Sequence, residues 1–304
     1  MAENSGIEWT NHTFNPWIGC TKVSPACDFC YAEEWNKRYE GGKNWGPKAP
    51  RRRTKTWSGP RKWNREAAAA GSRARVFCAS LADVFDNHPT IEQAWRDDLW
   101  QLIRETPNLD WLLLTKRPQN IIKYLPEDWL LHGEQWGKDD GYPNVWLGTT
   151  VENQVEADRR IPHLLNVPSR VRFLSCEPLL GAVDLTRIAL VKQKPGSERA
   201  GIHVNSLTGK YFESGMKYLG DWDPNGLPPL QSYERKLHWI ISGGESGSHF
   251  RHADPEWFRS LRDQCAAADV PFLFKQWEGA TQPIIKAKGR ELDGVVHDGY
   301  PKVA

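Results

Sequence analysis

The sequence predicts an α/β fold in which a parallel sheet is covered by helices. Three observations carry that prediction. Short, continuously apolar runs of strand length recur along the chain, as in RVFCAS, WLLLT, NVWLGTT, RVRFLS, LHWIIS and VPFLFK. Between several of them lie longer stretches whose apolar residues return every three to four positions, the period of a helix with one buried face. Strands that are apolar throughout, rather than alternating, suit a sheet buried on both faces.

The elements follow in order. Residues 7–19 mix Trp, Thr, Phe and Ile with a proline and can form a short first strand. YAEEWNKRYE places Tyr31, Trp35 and Tyr39 at i, i+4 and i+8, which predicts a helix with one aromatic face. Residues 75–80 read as a buried strand, followed by a helix with Ile91, Trp95, Leu99, Leu102 and Ile103 on one side. Residues 111–115 are a strand with a helix from about Gln119; residues 144–150 are a strand with a helix around 152–165; residues 170–175 are a strand. Residues 237–242 are a strand before the helix PEWFRSLRDQCAAA, and residues 270–275 are the last clear strand. Residues 186–235 interrupt this rhythm with KQKPGSERAG, DWDPNGLPP and an expected hairpin in GIHVNSLTGKYF, an insert between two strands that can lie over the substrate site.

The chemistry concentrates in TFNPWIGCTKVSPACDFCYA, which holds Cys20, Cys27 and Cys30 in a C-x6-C-x2-C spacing. Cys78, Cys176 and Cys265 are isolated in apolar runs, as small buried hydrophobes are. Three thiolates in one loop suit a soft metal centre, either an iron–sulfur cluster or zinc. A four-iron cluster on three thiolates leaves one iron without a protein ligand, whereas structural zinc would need a fourth donor such as His12. A Cys27–Cys30 disulfide, or a redox pair that leaves Cys20 unexplained, are the other readings.

The loop resembles the cluster loop of the radical S-adenosylmethionine (SAM) superfamily, whose usual spacing is C-x3-C-x2-C with an aromatic residue before the last cysteine. Phe29 stands in that place here, and the first gap is six rather than three. IEWTNHTFNPWIGC, LLLTKRP, NVWLGTTVENQ, RFLSCEPLLG, SGGESG and PFLFKQW resemble, in that order, a phage- and prophage-associated family of uncharacterised radical-SAM-like proteins near the spore photoproduct lyase branch. The resemblance implies a single domain over residues 1–304, a full or partial (β/α) TIM-like barrel with the insert near 186–235. It also implies a [4Fe-4S] cluster on Cys20, Cys27 and Cys30, bound SAM, radical chemistry on an unknown substrate, for which a nucleic acid or nucleotide is a candidate, and a reductant protein of flavodoxin or ferredoxin type.

In a parallel barrel, function collects at the C-terminal strand ends. SAM binding needs a carboxylate for its amine, a cation for its carboxylate and polar groups for its ribose. The candidates past the strands are Ser80, Asp83, Lys116, Thr149, Glu152, Glu177, Gly243, Gly244, Glu245 and Lys275. SLAD is the positional match for the amine site, and the late glycine-rich GGESG resembles the place where such proteins hold adenine; a tight turn without ligand is the plain alternative.

Residues 41–65 form a second motif, in which Arg51, Arg52, Arg53, Arg61 and Lys62 interleave with Trp57 and Trp63. Cations for phosphates beside aromatic rings for bases is the design of single-strand nucleic-acid binding, and a solvated basic loop is the bland reading. A non-catalytic, metal-stapled nucleic-acid-binding protein is therefore the alternative function. The net charge of +2 gives no global drive toward nucleic acid or membrane. No apolar run approaches the roughly 20 residues that cross a bilayer, and the polar start MAENSGIEWTN is unlike a signal peptide, so a cytoplasmic protein is expected.

Overall fold

A computed structural model describes residues 3–129, 141–191, 202–213 and 235–302. In chain order the strands are β1 (His12–Thr13), β2 (Trp17–Ile18), β3 (Arg52–Arg53), β4 (Ala74–Cys78), β5 (Leu109–Thr115), β6 (Val145–Thr150), β7 (Val171–Cys176), β8 (Ile188–Val191), β9 (Ile202–Asn205), β10 (Lys210–Glu213), β11 (Trp239–Gly243), β12 (Phe272–Gln276), β13 (Glu291–Leu292) and β14 (Val295–Val296). The helices are α1 (Tyr31–Glu40), α2 (Gly59–Ala69), α3 (Gln93–Arg104), α4 (Ile121–Tyr124), α5 (Gln154–Leu165), α6 (Pro255–Ala267) and α7 (Gln282–Lys288).

Seven strands form one parallel sheet in the order β1-β4-β5-β6-β7-β11-β12. The strands follow one another in sequence across it, the pattern that helical crossovers between neighbours produce. Period-two alternation survives inside the apolar runs. Val76, Leu113, Leu174, Ile240 and Phe274 pack with the helices in one cluster. Phe77, Leu112, Phe173, Ile241 and Leu273 point the other way and pack with Trp9, Trp146 and Trp239.

The second cluster shows that the sheet curls. β4 and β7 are three strand steps apart, about 14 Å in a flat sheet. Yet Trp9 packs against Phe77 of β4 at 4.7 Å and against Phe173 of β7 at 6.4 Å between ring centroids. Gly148 in β6 makes room for this floor, because a Cβ there would lie 2.4 Å from the Phe173 ring. The C-terminal segment seals it from below: Trp239 Nε1 donates to Gly299 O (2.7 Å) and Tyr300 Oη to Glu8 O (2.9 Å). The result is an α/β half-barrel with helices outside and an aromatic floor inside.

Local chemistry sets the helix ends. Asn153 and Asp254 accept from the N–H groups of Glu156 and Glu256 as N-caps of α5 and α6, and α1 stops at Gly41 with φ 64°. Two expectations change. Residues 59–69 are helical, because Pro60 sits in the first turn, where its missing N–H costs nothing. On α1 it is Ala32 and Asn36 that are buried, while Tyr31 and Tyr39 are exposed.

The hairpin expected in the insert is present as β9–β10, and β8 joins it in an antiparallel sheet. That sheet is tied to helix α5 through Ala189 N, which donates to Asp158 Oδ1 (3.1 Å). Its described residues therefore lie against the outer helices rather than over the cavity. KQKPGSERAG and DWDPNGLPP fall outside the described residues. Among the described residues, no helix is long and apolar enough to cross a membrane.

Candidate functional site

Parallel strands all end on one side, and there the curled sheet opens into a cavity of about 570 Å³. Cys20, Cys27 and Cys30 line it together, with Tyr31, Lys116, Arg117, Ser175, Glu177 and Lys275, above Trp9, Phe77 and Leu114. Its size is ordinary for a small-molecule site.

The cysteine loop between β2 and α1 reaches the cavity because protein groups pull it there. Gly46 N donates to Cys20 O (2.9 Å), Arg117 Nη2 to Thr21 O (2.9 Å), Arg51 Nη2 to Thr21 Oγ1 (2.6 Å) and Arg251 Nη2 to Pro25 O (3.0 Å). Ala26 N donates to Glu152 Oε1 (3.3 Å). Gly19 has φ 118° and lies so close to Asn44 O that a Cβ would stand 2.3 Å from it, so this bend into the loop requires glycine.

Cys20 and Cys30 are partly buried, each with a cation nearby. Burial pushes the Cys20 thiol up to about 11, against the pull of the nearby Arg117 guanidinium. Arg117 Nη1 donates to Cys20 Sγ at 3.6 Å. Burial also raises the Cys30 thiol, with Lys116 acting in the opposite direction. Cys78, Cys176 and Cys265 are buried and packed in the helix-side core. Among the described residues no three His, Cys, Asp or Glu side chains gather around one metal ion. A single zinc needs that convergence, with sulfur about 2.3 Å from the metal. A polynuclear cluster takes thiolates on separate irons, so its thiols must share a cavity but need not meet at a point.

Of the cofactor candidates, Ser80, Asp83, Lys116, Glu177 and Lys275 line the cavity. Lys275 Nζ pairs with Glu177 Oε1 at 2.9 Å, and Ser175 Oγ donates to Glu177 Oε2 at 3.2 Å. Gly243 leaves space for that carboxylate, since a Cβ would lie 2.9 Å from Glu177 Oε1. Lys116 forms no ion pair among the described residues, which leaves its charge to the cavity.

The other candidates do different work. Asp83 lines the wall, but its oxygens accept from Thr115 Oγ1 (2.7 Å), Lys116 N (3.1 Å) and Arg117 Nη1 (2.9 Å), so it is a scaffold for the strand end and not an open amine site. Thr149 is fully buried and donates to Thr115 O (2.8 Å). Glu152 is fully buried and pairs with Arg160 at 2.7 Å. Gly244 packs β11 against the end of β12, where a Cβ would fall 2.2 Å from Glu278 N. Glu245 holds Arg251 at 2.6 Å, and Arg251 in turn pairs with Asp28 at 3.1 Å. Thr149, Glu152, Gly243, Gly244 and Glu245 thus build or brace the site without lining its cavity.

The basic motif does not form a continuous docking surface. Arg51 is buried, pairs with Asp86 at 2.9 Å and also donates to Gly46 O and Ala49 O. Trp63 is buried and stacks on His12 at 4.3 Å. Trp57 packs edge-on against Phe14 in the core and lies under Arg53. Arg52, Arg53, Arg61 and Lys62 remain accessible but pair with Glu40, Asp98, Glu105 and Glu3. A buried arginine and a buried tryptophan cannot reach a strand of nucleic acid, so Arg51 and Trp63 leave the candidate interface.

Sequence reasoning missed the bracing role of Arg51, Arg117 and Arg251 and the cavity position of Trp9. Only Arg117 carried a usable signal, lying just past an apolar strand. A model of the family described as "Protein of unknown function (DUF5131)" matches residues 4–301. No curated protein and no solved structure matches the chain.

Proposed function

The chain belongs to the DUF5131 family of unknown function; we propose that it is a radical-SAM-type enzyme. In this reading the half-barrel is a partial (β/α) barrel of TIM-like kind. Cys20, Cys27 and Cys30 hold a [4Fe-4S] cluster, and SAM occupies the cavity beside them. The observation that carries the reading is that these three thiols, and none of the other three, line one cavity at the C-terminal strand ends together with Lys116, which forms no ion pair among the described residues.

When bound, the cluster and SAM supply one-electron chemistry that starts a radical reaction on substrate. The chain's residues bind, orient and exclude water. Lys116 offers a cation to a carboxylate, in a wall where Arg117, Glu177 and Lys275 already have partners. Glu177 and Ser175 offer polar contacts to hydroxyl or amine groups. Trp9, Phe77 and Leu114 close the base of the cavity, which keeps water from the reacting groups. The volume suits a small molecule or a nucleotide-sized group, and a reductant of flavodoxin or ferredoxin type would provide the electron.

The alternative, a metal-stapled nucleic-acid-binding protein, has less support. Arg51 and Trp63 are interior, and the loop is braced by protein contacts on both flanks.

Anaerobic purification with metal and sulfide analysis tests the proposal. It expects about four irons and four sulfides per chain, an EPR signal that changes when SAM is added, and formation of 5′-deoxyadenosine. One zinc and no sulfide would overturn it.

A further inference from the structure

The six-residue gap between Cys20 and Cys27 leaves Cys20 outside the tight turn that carries Cys27 and Cys30. Something else must fix that thiol, because each free residue in a linking loop adds backbone entropy that binding would have to remove. We propose that Arg117 does this: it is a positioning residue that locks Cys20 into the same centre as Cys27 and Cys30 and weakens electron donation from the Cys20 sulfur. The proposal rests on the cluster reading above.

The geometry is a single planar guanidinium with four partners. Nη1 donates to Asp83 Oδ2 (2.9 Å) and to Cys20 Sγ (3.6 Å), Nη2 donates to Thr21 O (2.9 Å), and Nε lies 3.7 Å from Asp86 Oδ1. The arginine side chain is 7% exposed and those of Asp83 and Asp86 are 6% and 4%, so the fork is rigid. Its position is set upstream as well, since Arg117 N donates to Thr115 Oγ1 (2.8 Å), whose hydroxyl donates to Asp83.

The fork treats the thiols unequally. Among the described residues, Cys20 alone of the three has a charged donor bonded to sulfur. A cationic hydrogen bond to a ligand sulfur withdraws electron density and makes a cluster easier to reduce. A lysine would keep the charge but cannot hold Asp83, Cys20 and Thr21 together, because an ammonium is a point donor and not a fork.

The decisive variant is Arg117→Lys, with Asp83→Asn as a second that removes the anchor and leaves the arginine. Apo proteins are first compared by thermal melting to select folded material. Amide exchange at residues 21–23 is then followed in the apo state, where faster exchange in both variants is expected. In the loaded protein, Arg117→Lys should lose iron to a chelator about 10- to 100-fold faster and show a more negative midpoint potential. Wild-type exchange rates in both folded variants would overturn the positioning claim. Unchanged iron loss and potential in Arg117→Lys would overturn the electronic one. If wild-type protein takes up no iron or sulfide, the cluster reading fails, and with it the electronic claim, while the exchange data still decide whether Arg117 holds the Cys20 limb.

Discussion

Arg251 and Asp28 are 223 positions apart in sequence, and their side chains meet at 3.1 Å. Glu245 holds the other side of the same guanidinium at 2.6 and 2.8 Å. The last third of the chain thus fastens the cysteine loop that the first tenth supplies.

Arg251→Ala should loosen that loop without unfolding the protein. The arginine is partly exposed, so the stability loss is expected to be about 1 kcal/mol. Amide exchange across residues 24–30 and the labelling rate of Cys27 and Cys30 should both rise. Glu245→Gln should move the same two readouts in the same direction, because it removes the charge that orients Arg251. Unchanged exchange in both variants would show that the clamp is only a surface contact.

The buried Glu152–Arg160 pair makes a contrasting case. Neither side chain is more than 1% exposed. Glu152→Ala leaves a buried arginine without its nearest carboxylate and should cost about 3–5 kcal/mol, read as a fall in the denaturant midpoint. Arg52→Ala, at a half-exposed pair with Glu40, should cost about 0.5 kcal/mol or less.

Gly148→Ala should destabilise the aromatic floor. A methyl group there would meet the Phe173 ring at 2.4 Å, and overpacking of this kind costs about 1–3 kcal/mol. The expected signature is a lower melting temperature together with a changed tryptophan emission, since Trp9 and Trp239 both pack on Phe173.

His238 predicts a pH dependence of stability. Burial, with Arg172 nearby, lowers its pKa from 6.5 to about 4, and its Nδ1 accepts from Arg172 N at 3.0 Å, which requires an unprotonated nitrogen. The folded state therefore binds the proton less well than the unfolded state. Its contribution is fully present above pH 6.5 and is lost as pH falls from 6.5 toward 4. The loss should reach up to about 3 kcal/mol. His238→Gln should show a flatter melting profile over that window, and identical slopes for both proteins would remove His238 as the cause.

Much of the sheet was legible because its signal is local. Six apolar runs became β4, β5, β6, β7, β11 and β12, each end within two residues of its expected place. The three cysteines were legible for the same reason: thiols this close in sequence are close in space. What failed depended on distant partners. Arg51 and Arg52 are neighbours in a basic run, yet one is interior and the other faces solvent, because Asp86 and the carbonyls of the loop surround only the first. Asp83, Glu152 and Glu245 were rightly placed at strand ends, but sequence cannot show that Arg117, Arg160 and Arg251 already hold them. The aromatic face of α1 misled because Tyr31 points to a cavity wall, where its hydroxyl donates to Ser80 O, and not to the core.

The aromatic floor has a further consequence. With Trp9, Phe77 and Phe173 packed together beneath it, the cavity is shut at its floor, so the group seated deepest in it is the one held farthest from water.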